Sequence, residues 1–544
     1  TISPASSKEE ELARFDRSLE RSIRQLKEIR QKAEEGISET GAMIFMAQIL
    51  MLRDESFTGM MREAIEKGDT ATTAIRRVVT DYADRFSQMA EERLAEKSQD
   101  VRDLGYRMIT NLASGESREF SYEGRIALAR HIYPSDLFRL SLEGISGVVL
   151  MGAAATAHIS ILAGSLGLPV LITEDKALLG IPDGTQLILD GDGHRLYVEP
   201  AEDLLEEYRL KLSLVSPSPD YYTLKGATAD GTAVKVMANV NILKDAEEAR
   251  KQGAEGIGLY RSEFPFILKN DILSEEQQYK VYRSVVETQK GKPVVLRTAD
   301  IGGDKILQGR EDQESNPFLG VRGIRFSLAH KEMFRDQLRA MLRAGVNADL
   351  GIMLPMVSGV EEVLEAREQI EKAASDLHQR GVAYNPHPRI GAMVEIPSAA
   401  LAVQELASHV DFLSIGTNDL TMYLLAVDRT NENLSHLYSS RHPTILRAIN
   451  HIVHGAQKSG TKVSVCGDAA ADPVLTPFFV GIGIRELSVS PHTIESIKKR
   501  LAAINLEDAE TIAKEMLAIG RIDEMETYLK ENTERLALGE LTIR

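Results

Sequence analysis

Eight short apolar runs, each followed by a segment of helical spacing, recur between residues 226 and 544. They are Val234–Val240, Gly256–Tyr260, Pro293–Thr298, Gly351–Met356, Ile390–Ile396, Asp411–Ile415, Lys462–Cys466 and Glu486–Val489. Apolar runs of this length, bounded by turn residues and alternating with amphipathic segments, are typical of buried parallel strands with crossover helices. The pattern predicts a (β/α)8 barrel of the TIM type over residues 226–544.

Polar and charged side chains follow the carboxyl ends of most of these runs. They are Asn239, Asn241, Arg261, Glu263, Arg297, Asp300, Glu395, Asn418, Asp419, Cys466 and Asp468. Because barrel active sites lie at the carboxyl ends of the strands, we expect these side chains to converge. Any one of them could be a helix cap or a structural ion pair. Several charges on one face favour a ligand site, since buried charges need partners.

The residue types at these strand ends indicate which ligand they would bind. Arg261, Arg297 and the more distant Arg429 can form bidentate contacts to carboxylate and phosphate groups. Glu395 and Asp419 are hard oxygen ligands of the kind that Mg²⁺ prefers. Together these side chains predict a small, doubly anionic ligand that is bound with Mg²⁺.

Cys466 is the only cysteine of the chain. At a strand end, its thiol could deliver a proton or act as a nucleophile. It could equally be a small buried hydrophobic residue, which is the usual fate of a lone cysteine. A single cysteine also excludes an intramolecular disulfide and fits a reducing cytoplasm.

The first 225 residues divide into three regions that differ in the spacing of their apolar residues and in the secondary structure that it predicts. Residues 1–113 have apolar side chains at steps of three and four, and Ser7 with Glu10 predicts a capping box, so we expect a helical bundle or hairpin. Residues 114–200 predict a small α/β domain, and residues 201–225 a helix followed by a linker. The short strands expected in the α/β domain are Ile126–Ala129, Val148–Met151, Val170–Ile172, Leu187–Leu189 and Leu196–Val198.

His158 lies in this small domain at the start of a predicted helix, after the small residues from Gly152 to Ala157. The amide groups of a helix N-terminus would favour a phosphate at this point. On the local sequence alone, an ordinary surface or capping histidine is the better interpretation.

The charge balance limits the partners of the chain. Lys and Arg number 64 and Asp and Glu number 81 in 544 residues, which gives a net charge of −17. This balance argues against nucleic acid or an anionic membrane as the main partner and suits a partner with a basic face. No apolar run reaches transmembrane length and no signal-peptide pattern is found, so we expect no membrane insertion.

The motifs of the barrel resemble enzyme I of the phosphoenolpyruvate:sugar phosphotransferase system. The matching strings, in order, are GLYRSEFPF (258–266), LRTADIGGDK (296–305), NPFLGVRGIR (316–325), LPM (354–356), VEIPSAA (394–400), SIGTNDLTMY with AVDR (414–429), VCGDAA (465–470) and ELSVSP (486–491). The resemblance covers nearly the whole chain. It implies a helical carrier-binding subdomain at 1–113, a swivelling phosphohistidine domain at 114–200, a helical linker at 201–225 and a phosphoenolpyruvate-binding, dimer-forming barrel at 226–544.

The resemblance also implies a role for each candidate site residue. Glu395 and Asp419 would bind Mg²⁺, and Cys466 would protonate the enolate as pyruvate forms. His158 would accept the phosphoryl group and pass it to the phosphocarrier protein HPr, as the first step of sugar uptake by a cytoplasmic homodimer. Phosphoenolpyruvate would be held by Arg261, Arg297, Asn418, Asp419 and Arg429.

The sequence departs from the family pattern at a few positions. The usual Gly-Gly-x-x-Ser-His is replaced by Ala-Ala-Ala-Thr-Ala-His at 153–158, Asp468 stands where Glu is usual, and Met422 where Gln is common. The altered histidine motif leaves open a regulatory protein that senses phosphoenolpyruvate without relaying phosphate. A relative of pyruvate phosphate dikinase or phosphoenolpyruvate synthase is another alternative, although such enzymes need an additional ATP-binding domain.

Overall fold

A computed structural model describes most of the chain. The described residues are 7–36, 45, 48–88, 92–113, 122–130, 132, 134–151, 163, 168–173, 175–191, 195–215, 225–269, 272–302, 316–428, 434 and 437–532. The chain divides into two compact units, one formed mainly by Thr1–Leu214 and the other by most of Val215–Arg544. Within the described residues, no helix is long and apolar enough to cross a membrane.

The first unit opens with a helical region, as the sequence predicts. Its helices are α1 (Lys8–Gly36), α2 (Glu55–Glu66), α3 (Ala71–Gln88) and α4 (Glu92–Ala113). The predicted capping box is confirmed, because Ser7 N donates to Glu10 Oε2 at 2.8 Å and Glu10 N donates to Ser7 Oγ at 3.2 Å.

Two buried polar contacts fix how these helices pack. The Glu11 carboxylate accepts a hydrogen bond from Ala71 N at 2.7 Å and thereby caps the start of α3. Ser18 Oγ donates to the carbonyl of Met108 at 2.7 Å and joins α1 to α4. Apolar side chains on the inner faces, such as Phe15 and Phe57, are fully buried. The amphipathic spacing of the sequence therefore faces a shared core.

The small α/β region of the first unit contains a parallel sheet and a hairpin. The sheet has the order β1–β2–β3, and β4 pairs with β5 in antiparallel fashion. All five predicted strands are present, and their bounds differ from the predicted ones by a single residue at most. The elements are β1 (Ile126–Ala129), α5 (Pro134–Leu142), β2 (Gly147–Met151), β3 (Val170–Thr173), β4 (Leu187–Asp190), β5 (Arg195–Val198) and α6 (Glu202–Val215).

The second unit is a closed barrel of eight parallel strands, in the order β6 to β13 around the ring. This confirms the predicted (β/α)8 fold, and every strand begins and ends within two residues of the predicted bounds. The strands are β6 (Lys235–Val240), β7 (Ile257–Arg261), β8 (Val294–Arg297), β9 (Leu350–Leu354), β10 (Arg389–Val394), β11 (Phe412–Gly416), β12 (Lys462–Cys466) and β13 (Glu486–Val489).

Helices surround this barrel and bury the outward-facing side chains of the strands. They are α7 (Leu243–Lys251), α8 (Phe264–Lys269), α9 (Glu275–Thr288), α10 (Ile324–Ala329), α11 (Lys331–Ala344), α12 (Val360–Gln379), α13 (Pro397–Leu401), α14 (Val403–Ala407), α15 (Thr417–Leu425), α16 (Pro443–Gln457), α17 (Asp468–Ala471), α18 (Thr476–Gly481), α19 (Ile494–Ala502), α20 (Leu506–Ala518) and α21 (Ile522–Glu531). One continuous hydrophobic core joins strands and helices. The rim at the strand carboxyl ends is thus held by a rigid frame.

Candidate active site

The strand register sets the predicted site residues side by side. Arg261 at the end of β7 pairs with Arg297 at the end of β8, and Gly416 at the end of β11 pairs with Cys466 at the end of β12. Val394 pairs with Ile415, which puts Glu395 next to the turn that carries Asn418 and Asp419. The parallel ladder therefore brings the chemistry of several strands to one rim.

A buried network of arginines and carboxylates occupies this rim. The Arg297 side chain is 5% exposed, and its Nη2 lies 2.5 Å from Glu263 Oε1 and 3.3 Å from Asp300 Oδ2. Asp300 has no exposed side-chain surface and also accepts two hydrogen bonds from Arg322, at 2.9 and 3.0 Å. Such charges are tolerated in the interior only because each has an opposite charge within contact distance.

Arg322 connects this network to Asp419. Its Nη1 and Nη2 donate to the two carboxylate oxygens of Asp419 at 3.3 and 3.1 Å. Burial alone would lower the pKa of Arg322, but Asp300 and Asp419 together raise it above its ordinary value. The guanidinium is therefore permanently charged and stands beside one of the two predicted metal ligands.

Arg322 is the site residue that the strand-end argument misses. It does not follow a strand, but lies in the long insert between the third and fourth strands of the barrel. This insert covers residues 300–348 of the sequence, and the string NPFLGVRGIR within it contains Arg322. An arginine placed between two aspartates can be recognised only once the insert is folded back onto the rim.

Glu395 lies at the bottom of the site and is 1% exposed. Its Oε1 accepts a hydrogen bond from Met356 N at 2.7 Å. Burial, followed by the charges of Asp419 and Asp300, raises the pKa of Glu395 to about 8. Two carboxylates that repel each other in a buried setting are a favourable environment for a cation.

These residues fit a magnesium-type ion. In the described part of the chain, no group of three or more His, Cys, Asp or Glu side chains has metal-binding geometry. Mg²⁺ does not require such a group, because it commonly takes one or two carboxylates and obtains its other ligands from substrate and water. Glu395 and Asp419 are the two residues whose carboxylates could bind the ion.

Cys466 is the last residue of β12 and is buried beside β11. Its Sγ lies 3.4 Å from the Ile415 carbonyl and 3.4 Å from Ser414 Oγ, while Thr417 Oγ1 donates to the Cys466 carbonyl at 2.9 Å. Burial raises the pKa of the thiol to about 11. A thiol that keeps its proton at neutral pH is suited to donate that proton, and it is a poor thiolate nucleophile.

Asn418 forms a reciprocal pair with Asp468. Asn418 Nδ2 donates to Asp468 Oδ2 at 2.9 Å, and Asp468 N donates to Asn418 Oδ1 at 2.8 Å. Position 467, directly before Asp468, requires glycine. Gly467 has φ +89°, and a Cβ at this position would lie 2.6 Å from Asn418 Oδ1. The pair fixes the direction of the Asn418 amide at the rim.

Two positive groups at the rim are left for an anion. Within the ranges that the structure describes, no hydrogen bond or ion pair joins the guanidinium of Arg261 to another group. The Nε of Arg297 is buried and, in the same ranges, has no hydrogen-bond acceptor. The predicted site residues Arg429 and His158 lie outside the described residues. Arg261, Arg297, Glu395, Asn418, Asp419 and Cys466 are all placed at the strand carboxyl ends.

The barrel and its rim define the class of protein. A closed (β/α)8 barrel that gathers arginines, two carboxylates suited to a divalent cation and a protonated thiol at its strand ends is an enzyme site for a small anionic substrate.

Comparison with known proteins identifies the family. Three family models match in order: the N-terminal domain of PEP-utilising enzymes at 1–97, their mobile domain at 121–193 and their PEP-binding domain at 218–506. A phosphoenolpyruvate-protein phosphotransferase of Haloferax volcanii is 38% identical over 93% of this chain and 89% of its own length. The protein of the same name from Haemophilus influenzae is 36% identical over 96% of this chain and 93% of its own.

A third relative, from Salmonella typhimurium, bears the name phosphoenolpyruvate-dependent phosphotransferase system. It is 34% identical over 98% of this chain and 72% of its own length. The chain belongs to the phosphoenolpyruvate-protein phosphotransferases, a branch of the PEP-utilising enzymes. This confirms the resemblance to enzyme I that the barrel motifs indicate. Members of the family use a divalent metal.

The raised pKa of Cys466 makes a prediction for its reactivity. Because the thiol holds its proton up to about pH 11, we expect alkylation by iodoacetamide at pH 8 to be about two orders of magnitude slower than for an ordinary thiol. The rate should then increase with pH until about pH 11. The measurement is modification followed by intact mass, and Cys466 is the only cysteine that can react. Protein unfolded in urea is the control, and equal rates in the folded and unfolded chains would contradict the assignment.

Proposed function

We propose that this chain transfers the phosphoryl group of phosphoenolpyruvate to its own His158 and then to a histidine of a small phosphocarrier protein of the HPr type. The observation that carries the proposal is the rim of the barrel, where Arg297 and Arg322 lie beside Glu395 and Asp419. Phosphoenolpyruvate is a small molecule with one phosphate and one carboxylate group. The two arginines match those groups in charge and in number, and the two acids would hold the cation that neutralises part of the phosphate charge.

The arginines bind and orient the substrate in this proposal. Arg297 and Arg322 are fixed by Asp300, so their guanidinium planes are set before the ligand arrives. Arg261 and Arg429 complete the set of positive groups that neutralise phosphate and carboxylate, and Asn418 adds an amide. Phosphoryl transfer depends mainly on positioning and on charge stabilisation, both of which a fixed arginine cluster supplies.

Mg²⁺ is the divalent ion that we propose for this site. Glu395 and Asp419 would hold it, and when bound it would neutralise phosphate charge next to the arginines. Glu395 must lose its proton to act as a ligand. Since burial and neighbouring carboxylates raise the pKa of Glu395 to about 8, metal binding at neutral pH should release a proton.

Cys466 supplies the proton that completes the reaction. When the bond between phosphorus and the enol oxygen breaks, the phosphoryl group forms a bond to an imidazole nitrogen of His158. The electron pair left on the enolate takes a proton at the methylene carbon from the Cys466 thiol, and pyruvate forms. The thiolate regains its proton from solvent. The raised pKa of Cys466 ensures that the thiol enters this step protonated.

The remaining parts of the proposal concern domains and partners. Residues 1–113 would dock the phosphocarrier protein, 114–200 would carry His158 between donor and acceptor, 201–225 would act as the hinge, and 226–544 would bind substrate and form a homodimer. The net charge of −17 favours a carrier with a basic face. We place the enzyme in the cytoplasm, as the first component of a sugar-uptake pathway.

Incubation with phosphoenolpyruvate labelled in its phosphoryl group, in the presence of Mg²⁺, tests the relay. We expect acid-labile label on the parent chain and pyruvate in solution, and no label on His158→Ala. His454→Ala is the control, because His454 is an exposed histidine on α16 whose Nδ1 lies 2.9 Å from the Asn450 carbonyl of the same helix. If the parent binds phosphoenolpyruvate but takes up no label, the chain is a sensor and the relay proposal is wrong.

A second prediction concerns Arg322. Replacement by lysine keeps the charge but loses the planar fork that contacts two groups at once, so we expect Arg322→Lys to lower kcat/KM for phosphoenolpyruvate on the order of a hundredfold. Arg325→Lys is the matched control, since Arg325 lies three residues on, is exposed and contacts the Gly320 carbonyl. Steady-state pyruvate release measures both. A similar small effect in the two variants would show that Arg322 does not contact the substrate.

A further inference from the structure

Gln337 on α11 is a polar side chain in the hydrophobic layer between barrel and helices. It is 2% exposed. Its Oε1 accepts a hydrogen bond from Ala299 N at 2.9 Å. Its Nε2 donates to Ser262 Oγ at 3.1 Å and to the Tyr282 hydroxyl at 3.0 Å. Every polar atom of this amide is therefore engaged, and none of the three contacts is to solvent.

The two segments that Gln337 holds are the turns that carry the arginines of the site. Ser262 lies between Arg261 and Glu263 in the turn after β7. Ala299 follows Arg297 in the turn after β8 and directly precedes Asp300. A single side chain from an outer helix thus contacts both turns.

The ladder between β7 and β8 does not fix these turns unaided. The pairing of the two strands shifts between Ile257 and Tyr260, before it resumes at Tyr260 with Leu296 and Arg261 with Arg297. Beyond the last ladder pair, the relative position of the two turns depends on side-chain contacts. Gln337 contacts the first turn at Ser262, next to Arg261, and the second at Ala299, two residues after Arg297.

The hydrogen bonds of Gln337 continue through Tyr282 to Gln278 and end at a backbone carbonyl. The Tyr282 hydroxyl donates to Gln278 Oε1 at 3.0 Å, and Gln278 Nε2 donates to the Leu273 carbonyl at 2.8 Å. Both side chains are buried on α9. The Ala299 N–H can only donate, so the amide of Gln337 has one allowed orientation. Satisfied buried networks of this kind hold their members in a single arrangement.

We propose that Gln337 is a positioning residue that sets the spacing of Arg261 and Arg297 for a doubly anionic substrate. The inference rests on the proposed function, which makes these arginines substrate ligands. A residue with a merely structural role would change stability when replaced and would leave substrate affinity unchanged. Gln337 should instead change both, because its loss frees two turns that must stay in register with one ligand.

The test compares three variants of the full chain. Gln337→Met keeps the volume and removes the hydrogen bonds. Gln337→Glu retains an acceptor for Ala299 N and, when protonated in its buried position, a donor towards Tyr282. Gln369→Met is the matched control, because Gln369 is also buried at 1% exposure, lies on the neighbouring helix α12, and its Nε2 has no hydrogen-bond partner in the described part of the chain.

For Gln337→Met we expect kcat/KM for phosphoenolpyruvate to fall on the order of tenfold or more. The main change should be a higher KM, because Arg261 and Arg297 would no longer be spaced to bind the substrate together. Gln337→Glu should recover part of this loss. Gln369→Met should keep the parental KM and should not lower the Tm, because it removes a buried donor that has no acceptor in the described part of the chain. If Gln337→Met lowers the Tm but keeps the parental KM, the inference is wrong.

Hydrogen exchange separates a failure of this inference from a failure of the proposed function. If the parent chain neither binds nor turns over phosphoenolpyruvate, the proposed function fails before any variant is compared. Amide exchange at residues 261–263 and 297–300 is then still decisive. Faster exchange of both turns in Gln337→Met, but not in Gln369→Met, would support the role of Gln337 in holding the two turns. Equal exchange in the two variants would overturn it.

Discussion

Asp300 is the residue around which the rim of the barrel is organised. Its carboxylate has no exposed surface and receives charged hydrogen bonds from Arg322 together with the ion pair to Arg297. A carboxylate in such a place would be very unfavourable without these partners, and the partners would be equally unfavourable without it. The arrangement therefore fixes two guanidinium groups at the mouth of the barrel before any substrate binds. Fixed charges of this kind lose little energy to reorganisation when the reaction takes place.

In the proposed function, the pair formed by Arg322 and Asp419 would link substrate to metal. In the structure each of these side chains neutralises the other, because Arg322 donates to both carboxylate oxygens of Asp419. In the proposed function, Asp419 would turn towards the cation and release Arg322 to face the phosphate group. The pKa of Glu395 is raised because this carboxyl is buried and lies near the negative charges of Asp419 and Asp300. The charges of the rim thus balance one another through internal ion pairs, and in the proposed function the substrate and its cation would replace some of these pairs.

The sequence predicts the frame of the enzyme better than its interior contacts. The eight barrel strands could be located because each is an apolar run with a turn behind it, and a parallel ladder then requires their ends to meet. Arg322 could not be assigned in this way, since its place depends on how an insert folds back over the rim. The raised pKa values of Glu395 and Cys466 come from burial and neighbouring charges, which spacing along the chain does not show. Gln337 reads as one polar residue in an amphipathic helix, and only the fold reveals that it reaches two turns.

We infer that phosphoenolpyruvate and Mg²⁺ bind to this rim together, and that binding separates Arg322 from Asp419. Isothermal titration of phosphoenolpyruvate into the His158→Ala variant, with and without Mg²⁺, tests this inference without turnover through the histidine. We expect Mg²⁺ to lower the Kd for phosphoenolpyruvate on the order of tenfold or more, and phosphoenolpyruvate to lower the Kd for Mg²⁺ by the same factor. An affinity for phosphoenolpyruvate that is the same with and without Mg²⁺ would contradict it.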